Sequence, residues 1–269
     1  MSDSLVAQVV AYYTEEFRED LRFAEGARPV GRLEWLRTRE ILAAVLPPAP
    51  ARLLDVGGGP GVHARALAAD GYAVRLLDLT PAHVAQARDG DVPLDADVAD
   101  ARDLPEPDGR YDAVLLMGPL YHLPARRDRV RALREAVRVA RPGGVVVAAA
   151  ISRYAGPLDF ASSGSFDGAW VERTERLATD GVNDVRGGFT IAYFHRVVEL
   201  VAECTDAGLP EVTVHGVEGP AWVAAEAAAG GPLAEDVLGS ALRLARAVDT
   251  ERELVAASAH LLAVGRVPA

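Results

Sequence analysis

The sequence has very little cysteine: Cys204 is the single thiol among 269 residues. One cysteine excludes an internal disulfide and any metal site that needs several thiolates. Long apolar runs are also missing, since no stretch reaches the roughly 20 apolar residues of a membrane span. The start, "MSDSLVAQVVAYYTEEF", has early acids and no cationic segment, so we expect no secretion signal. These absences predict a cytoplasmic protein with no membrane partner.

Basic clusters are scarce as well. The formal net charge is -11, and the longest basic run that stands out is the pair Arg126 and Arg127. Such a surface repels a phosphate backbone, so we expect no nucleic-acid partner. The length suffices for one large domain with a full core. We therefore predict a single domain over residues 1–269, either a monomer or a homodimer.

Strand and helix patterns alternate through the first half of the chain. The strand-like segments are "RLLDV", "AVRLLDL", "LDADVAD", "YDAVLLM" and "VVVAAAI". This alternation predicts an α/β fold with a parallel sheet and helices on both faces. Helical spacing over residues 4–17 and 33–46 predicts an N-terminal helical lid within residues 1–50.

After Ile151 the regular alternation stops. Residues 152–194 are rich in Gly, Ser, Asp and Arg but also hold apolar and aromatic residues, so we predict an inserted substrate cap rather than a linker. A helix over residues 195–207, the strand "EVTVHGV", a helix over 233–248 and the closing strand "AHLLAVGRV" are expected to follow.

The stretch "LLDVGGGPG" places a glycine turn after the first strand. A dinucleotide site favours G-x-G-x-x-G, whose amides face a pyrophosphate. Here Val62 stands at the third glycine position, Pro60 removes an N–H group, and Asp55 places a carboxylate just before the turn. These features favour a cofactor with a cationic amino acid end over a dinucleotide.

Two further carboxylates follow neighbouring strands. Asp78 closes the second strand, where it could accept bonds from two ribose hydroxyls. Asp100 follows the third strand and could accept a bond from an adenine amino group. Both positions belong to the same sheet edge, because the carboxyl ends of parallel strands meet there. The alternative is that they are solvated loop residues.

The segments "LLDVGGGPG", "LLDLTPAHV", "DARDLP", "YDAVLLMGPLYHL" and "RPGGVVVAAAI" occur in this order over residues 52–151. In this respect the sequence resembles the class I S-adenosylmethionine-dependent methyltransferases of the small-molecule type. The resemblance implies a Rossmann-like, doubly wound, seven-stranded sheet with an antiparallel last strand. It also implies S-adenosyl-L-methionine as the cofactor, lying across the carboxyl ends of the strands.

The resemblance also implies roles for individual residues at this edge. The methionine side of the cofactor is assigned to Asp55, Gly57, Gly59 and Gly61; the ribose to Asp78 with its neighbour Leu79; the adenine to Asp100 and Ala101; and the sulfonium region to Met117 and Gly118.

The N-terminal helices add two candidates for cofactor binding. Tyr13 fits a lid that stacks over the site, and the alternative is packing in the core. Arg37 could pair with the carboxylate of the cofactor. The alternative for Arg37 is a surface position beside Glu34 or Glu40.

Methyl transfer from a sulfonium mainly requires alignment of the acceptor, and a base matters only if the acceptor must lose a proton. His122 and His195 are the candidate bases. Local packing is the alternative for His122, and the start of a helix is the alternative for His195. The expected acceptor wall, whose aromatic residues could equally be core, consists of Tyr121, Tyr154, Tyr193 and Trp222.

The acceptor is predicted only as a class. The exit "MGPLYHL" differs from the "NPPY" type of families that methylate amino groups and bases, which favours a small-molecule acceptor, with O- or N-methylation preferred over C-methylation. Asp95, Asp97 and Asp100 invite a magnesium site, but Asp100 is already assigned to adenine, so we predict no metal. The alternative functions are a non-catalytic adenosylmethionine-binding module and an enzyme that uses adenosylmethionine for another transfer.

Overall fold

A computed structural model describes residues 3–16, 22–23, 27–183 and 190–269. The strands are β1 Arg52–Val56, β2 Ala73–Asp78, β3 Asp95–Val98, β4 Tyr111–Leu116, β5 Ala140–Ser152, β6 Val182–Asn183, β7 Ala192–His195, β8 Val212–Gly216 and β9 His260–Arg266. The α-helices are α1 Asp3–Ala11, α2 Pro29–Val45, α3 Val62–Ala69, α4 Pro81–Asp89, α5 Arg126–Val139, α6 Ala155–Ser162, α7 Gly168–Asp180, α8 Val197–Asp206, α9 Trp222–Ala227 and α10 Ala234–Val248. A π-helical turn, Tyr12–Glu16, follows α1.

The main sheet runs in the order β3-β2-β1-β4-β5-β9-β8. Strands β1 to β5 are parallel, and the last strand, β9, is antiparallel to both β5 and β8. Strand β7 pairs only with the last two residues of β5, beyond the end of β4, and β6 pairs with β7. The predicted seven-stranded Rossmann-like sheet with an antiparallel last strand is thus confirmed, and the β6–β7 pair extends it.

Helices cover both faces of this sheet. Because successive strand residues point to opposite faces, Leu54 packs in a core cluster with α5 and α8, whereas Leu53 packs in a cluster with α2 and α3. Burial on both sides explains why strands such as β1 and β4 are nearly continuous apolar runs in the sequence. Among the described residues, no helix is both long and apolar enough to cross a bilayer.

The segment 152–194 is more regular than predicted. It contains α6, α7 and the β6–β7 pair. The pattern hides α7 because Leu177 is its single fully buried residue, so it lacks a wide apolar stripe. Strand β7 and helix α9 were not predicted, and His195 ends β7 instead of opening α8. Residue 17, the predicted end of the first helix, lies outside the described residues.

Candidate cofactor and acceptor site

A cavity lies at the carboxyl edge of the parallel strands. It encloses about 1170 Å³ of empty space, part of which is open to solvent. Ligand pockets commonly measure about 300–1,000 Å³, so the cavity is of the size that holds a nucleotide-like cofactor. Its walls come from the exits of β1 to β4, from β9 and from the lid residues Val9, Tyr13, Arg22 and Phe23.

The glycine loop after β1 forms one wall of the cavity. Gly57 has φ +71°, and a Cβ there would stand 2.6 Å from Pro119 of the loop that follows β4. A Cβ on Gly58 would stand 2.5 Å from a carboxylate oxygen of Asp55. Side chains are therefore excluded, and the bare backbone faces the cavity. Gly59 lines this wall, whereas Gly61 caps the start of α3 and is not among the lining residues.

Asp55 lies beneath this loop rather than in the cavity wall. It is fully buried, and among the described residues neither carboxylate oxygen has a hydrogen-bond partner. Burial, together with the nearby charge of Asp78, raises the pKa of Asp55 to about 7. A buried carboxylate without compensation is costly, so the site favours a ligand that brings positive charge or donors to this loop.

Asp78 holds the loop and faces the cavity. Its Oδ2 accepts a bond from the amide of Gly59 at 2.9 Å, and its Oδ1 accepts one from the amide of Thr80 at 2.8 Å. His83 Nδ1 lies 3.3 Å from the same Oδ1. Each carboxylate oxygen can accept more than one bond, so capacity for ribose hydroxyls remains. The neighbouring Leu79 also lines the cavity.

The adenine end of the predicted site lies at Asp100 and Ala101, which both line the cavity. The amide of Arg102 donates to Asp100 Oδ1 at 2.9 Å, and its guanidinium donates to both oxygens. Burial alone would raise the pKa of Asp100, but the bonds from Arg102 outweigh it and hold that pKa below its usual range. Asp100 therefore stays ionised and can accept a bond.

The residues present fit S-adenosylmethionine. The orphaned Asp55 carboxylate and the glycine cradle suit the charged amino acid end of the cofactor. Asp78 suits its ribose, and Asp100 suits its adenine. Met117 and Tyr121, at the exit of β4, line the space between these ends and the rest of the cavity.

The lid residue Tyr13 contacts the candidate base. Its hydroxyl lies 2.9 Å from His122 Nε2, and the two rings meet edge to face. Burial lowers the pKa of His122 to about 4, against the raising effects of Asp78 and of a bond with the Ile191 backbone. His122 is therefore neutral at pH 7, and it is a weak base because the best general bases have a pKa near the working pH.

Two predicted site residues are placed elsewhere. Arg37 is 5% exposed and pairs with Glu40 and, at 2.8 Å, with Asp249, so it does not line the cavity. His195 is buried with Nε2 3.3 Å from Glu203, which also binds Arg129. Both are held in ion-pair networks within the protein, and neither lines the cavity in which its role was predicted.

Three of the four predicted acceptor aromatics also lie outside the cavity wall. Trp222 is buried and donates its Nε1–H to the carbonyl of Ala257. The ring of Tyr193 lies 3.5 Å from the guanidinium carbon of Arg129. Tyr154 is 42% exposed. Tyr121 is the fourth, and it does line the cavity.

The predicted cap contributes none of its described residues to the lining of this cavity. Strand β7 of the cap lies against the turn Pro119–His122 that follows β4. The acidic residues considered for magnesium pair with arginines instead: Asp95 with Arg75, and Asp97 with Arg75 and Arg88.

The sequence analysis missed a charged cluster in the cavity wall. Arg22, Glu34 and His260 line the cavity, and the buried Glu218 binds His260 from behind. One signal was available for His260. It is the first residue of an antiparallel strand, which begins at the edge where the parallel strands end.

Comparisons with known proteins identify the family of the chain. Residues 54–148 match the family described as "Methyltransferase domain". The chain is 31% identical over 188 residues to a ubiquinone biosynthesis O-methyltransferase of Xanthomonas axonopodis pv. citri, which covers 68% of this chain and 72% of that protein. It is 38% identical over 116 residues to the 27-O-demethylrifamycin SV methyltransferase of Amycolatopsis mediterranei, which covers 40% of this chain and 42% of that protein.

A solved structure is similar over nearly the whole chain. It is a SAM-dependent methyltransferase, possible histamine N-methyltransferase, from Thermotoga maritima, with a TM-score of 0.60 and 17% identity. The match covers 97% of this chain and 99% of that one, and at this identity it shows the fold. Fold, family match and relatives together show that the chain belongs to the class I S-adenosylmethionine-dependent methyltransferases.

Proposed function

We propose that this methyltransferase transfers the methyl group to a hydroxyl oxygen of a small organic acceptor. The observation that carries the proposal is that Met117, Tyr121 and Leu262 line the same cavity as the candidate cofactor residues Asp78 and Asp100. Val9 and Phe23 of the lid line the same space. A largely apolar space beside the candidate cofactor residues suits a compact acceptor.

Oxygen is proposed as the acceptor atom because of the two relatives. Both are named as enzymes of O-methylation, one in ubiquinone biosynthesis and one that acts on 27-O-demethylrifamycin SV. The acceptor of this chain is not inferred from either name. A cytoplasmic location and the lack of a nucleic-acid partner stay predictions from composition.

S-adenosylmethionine, when bound, supplies a methyl group that its sulfonium already activates. The protein contributes position and shielding. In this proposal the glycine loop and Asp78 would hold the amino acid and ribose ends, and Tyr121 would border the acceptor. Tyr13 and Phe23, which line the same cavity, would limit the access of water. Alignment and exclusion of water are the main requirements of such a transfer.

The test is an acceptor set in which only the nucleophilic atom changes: a phenol, the matching aniline and thiophenol, and the methyl ether as a blank. Release of S-adenosylhomocysteine is measured with each. We expect release with hydroxyl compounds and none above the blank with the matched amines. Release with amines alone would contradict the proposal, and tight cofactor binding without release from any compound would favour a non-catalytic binding module.

A further inference from the structure

A histidine paired with a buried glutamate lines the same cavity as His122. His260 is the first residue of β9, and it pairs with Ile151 near the end of β5. Its Nδ1 lies 2.5 Å from Glu218 Oε1. Its Nε2 lies 2.8 Å from Arg22 Nη2, within the cavity lining. The ring thus has a buried end and an end that faces the cavity.

Glu218 is fixed so that it can orient this ring. It is fully buried, and its Oε2 accepts bonds from Ser258 Oγ at 2.7 Å and from the amide of His260 at 2.8 Å. Its Oε1 is left for Nδ1 of His260. A glutamate held by three bonds is a rigid support, and it determines which imidazole nitrogen carries the proton.

The tautomer of His260 follows from its partners. A guanidinium has donors and no acceptor, so Nε2 must accept from Arg22 and the ring proton must lie on Nδ1, toward Glu218. In this state the lone pair that can take a proton is on Nε2, the nitrogen that faces the cavity.

The charges around His260 favour its role as a base. Burial works to lower its pKa, but the charges of Glu34 and Glu218 and the bond to Glu218 outweigh burial and the opposing charge of Arg22, so the pKa is raised above its usual value. The pKa of His122, at about 4, is displaced in the opposite direction. The buried carboxylate of Glu218 on Nδ1 favours the protonated form of the His260 ring.

We propose that His260 is the general base for the acceptor hydroxyl and that Glu218 is its positioning residue. The acceptor hydroxyl takes the place of the Arg22 bond and donates its proton to Nε2. The acceptor oxygen forms the new C–O bond as the C–S bond of the sulfonium breaks, and the electron pair of that bond stays on sulfur. The proton on Nε2 then passes to solvent, which restores the neutral ring.

Arg22 has a second role in this proposal. Its Nη2 also donates to Glu34 Oε2 at 2.7 Å, so the guanidinium stays anchored when the acceptor displaces it from His260. A positive charge beside the hydroxyl stabilises the oxygen as it loses its proton. This favours acidic hydroxyls, which are phenols and enols, over simple alcohols.

The inference rests on the proposed O-methylation and is tested with His260→Ala, His260→Gln and Glu218→Gln. The acceptor is the phenol of the matched set that the wild type turns over fastest. We expect kcat/KM to fall roughly 10²–10⁴-fold in the His260 variants, the usual contribution of a general base. The acidic limb of the pH profile of kcat/KM should also disappear in the two His260 variants. In Glu218→Gln this limb should move to lower pH, because the carboxylate that raises the pKa of His260 is gone.

A second readout does not depend on turnover. The His260 ring signal, assigned with His260→Gln in histidine-labelled protein, is titrated by NMR. We expect a pKa above the usual value for histidine in the wild type and a lower one in Glu218→Gln. Calorimetry should show unchanged affinity for S-adenosylhomocysteine in all three variants, since His260 serves the acceptor.

His215→Gln is the matched control. His215 also pairs with a carboxylate, Asp249, at 3.1 Å, but it does not line the cavity. It should keep the wild-type rate and pH profile. A wild type that methylates no hydroxyl compound would refute the proposed function and this base with it. If the wild type methylates a hydroxyl compound, two results would overturn the base assignment alone. One is a full rate in His260→Ala, and the other is loss of the acidic limb of the pH profile in His122→Gln. Loss of activity with EDTA would also contradict a proton transfer that uses only these side chains.

Discussion

Asp55 and Asp78 lie on the neighbouring strands β1 and β2, yet their carboxylates are held differently. Asp78 is bonded to two loop amides, whereas Asp55 has no hydrogen-bond partner among the described residues and has a pKa raised to about 7. We therefore expect Asp55 to affect the pH dependence of stability and Asp78 to affect cofactor binding.

Asp55 should reduce the stability of the ligand-free protein as the pH rises. Its pKa is raised on folding from 3.8 to about 7, so the folded state binds the proton more tightly. The favourable contribution of Asp55 protonation to the free energy of unfolding is complete below pH 3.8 and is lost as the pH rises to 7. The loss is on the order of 4 kcal/mol at most, at 1.36 kcal/mol per pKa unit.

Urea unfolding of Asp55→Asn between pH 4 and 8 tests this prediction. The free energy of unfolding of the variant, relative to the wild type, should rise up to pH 7 and then level off. Asp112→Asn is the control, because Asp112 is ionised and paired with Arg141. A difference between Asp55→Asn and the wild type that is constant with pH would contradict the raised pKa.

Asp78→Ala should weaken the binding of S-adenosylhomocysteine by tenfold or more. Each lost bond to a charged group costs about 1.5–3 kcal/mol, and about 1.4 kcal/mol is tenfold in Kd. Calorimetry measures the effect, and Asp95→Ala, at the exposed start of β3, is the control. An unchanged Kd in folded Asp78→Ala would remove Asp78 from the cofactor site.

At the scale of elements, helices α5 and α8 are joined by a buried ion pair between Arg129 and Glu203. Arg129→Ala leaves Glu203 buried with His195 at 3.3 Å and the more distant Arg126 at 3.9 Å, so we expect a loss of about 3–5 kcal/mol in unfolding free energy. Arg126→Ala is the comparison on the same helix, since the Arg126 side chain is 53% exposed and pairs mainly with Asp206, at 2.6 Å. It should cost about 1 kcal/mol or less. Equal losses in the two variants would contradict this account of the α5–α8 contact.

The loop after β1 should tolerate no side chain at Gly57. Gly57→Ala combines a positive φ with a Cβ 2.6 Å from Pro119, whereas Gly143→Ala has a similar φ of +72° and open space around it. The control, Gly143→Ala, should lose about 1 kcal/mol or somewhat more of unfolding free energy from backbone strain alone. Gly57→Ala should lose more and should also bind S-adenosylhomocysteine less tightly. Similar values for both variants would show that the close approach of the two loops is unimportant.

The sequence predicted the elements that are buried on both faces. Strands β1, β2, β4 and β5 contain apolar runs next to turn residues, and the ends of the predicted strands located Asp78, Asp100 and Met117 at one edge. Strand β7 and helix α9 are four and six residues long and give no periodic signal. Contacts between residues far apart in the sequence could not be predicted from local patterns. Arg37 pairs with Asp249, 212 residues away, and Glu218 meets His260 across 42 residues.

At the scale of the whole molecule, the sheet brings two sets of groups to one cavity. The exits of β1 to β3 carry the cofactor candidates Asp78 and Asp100, while β9 carries His260 on the far side of β4 and β5. The strand order therefore separates cofactor recognition from proton transfer and leaves room for the acceptor between them.

A crystal structure of the complex with S-adenosylhomocysteine tests this arrangement most directly. We predict the ribose on Asp78, the adenine beside Asp100 and the amino acid end on the glycine loop above Asp55. The sulfur should then face the space between Tyr121 and His260. A ligand bound elsewhere, or one whose sulfur faces away from His260, would contradict the account.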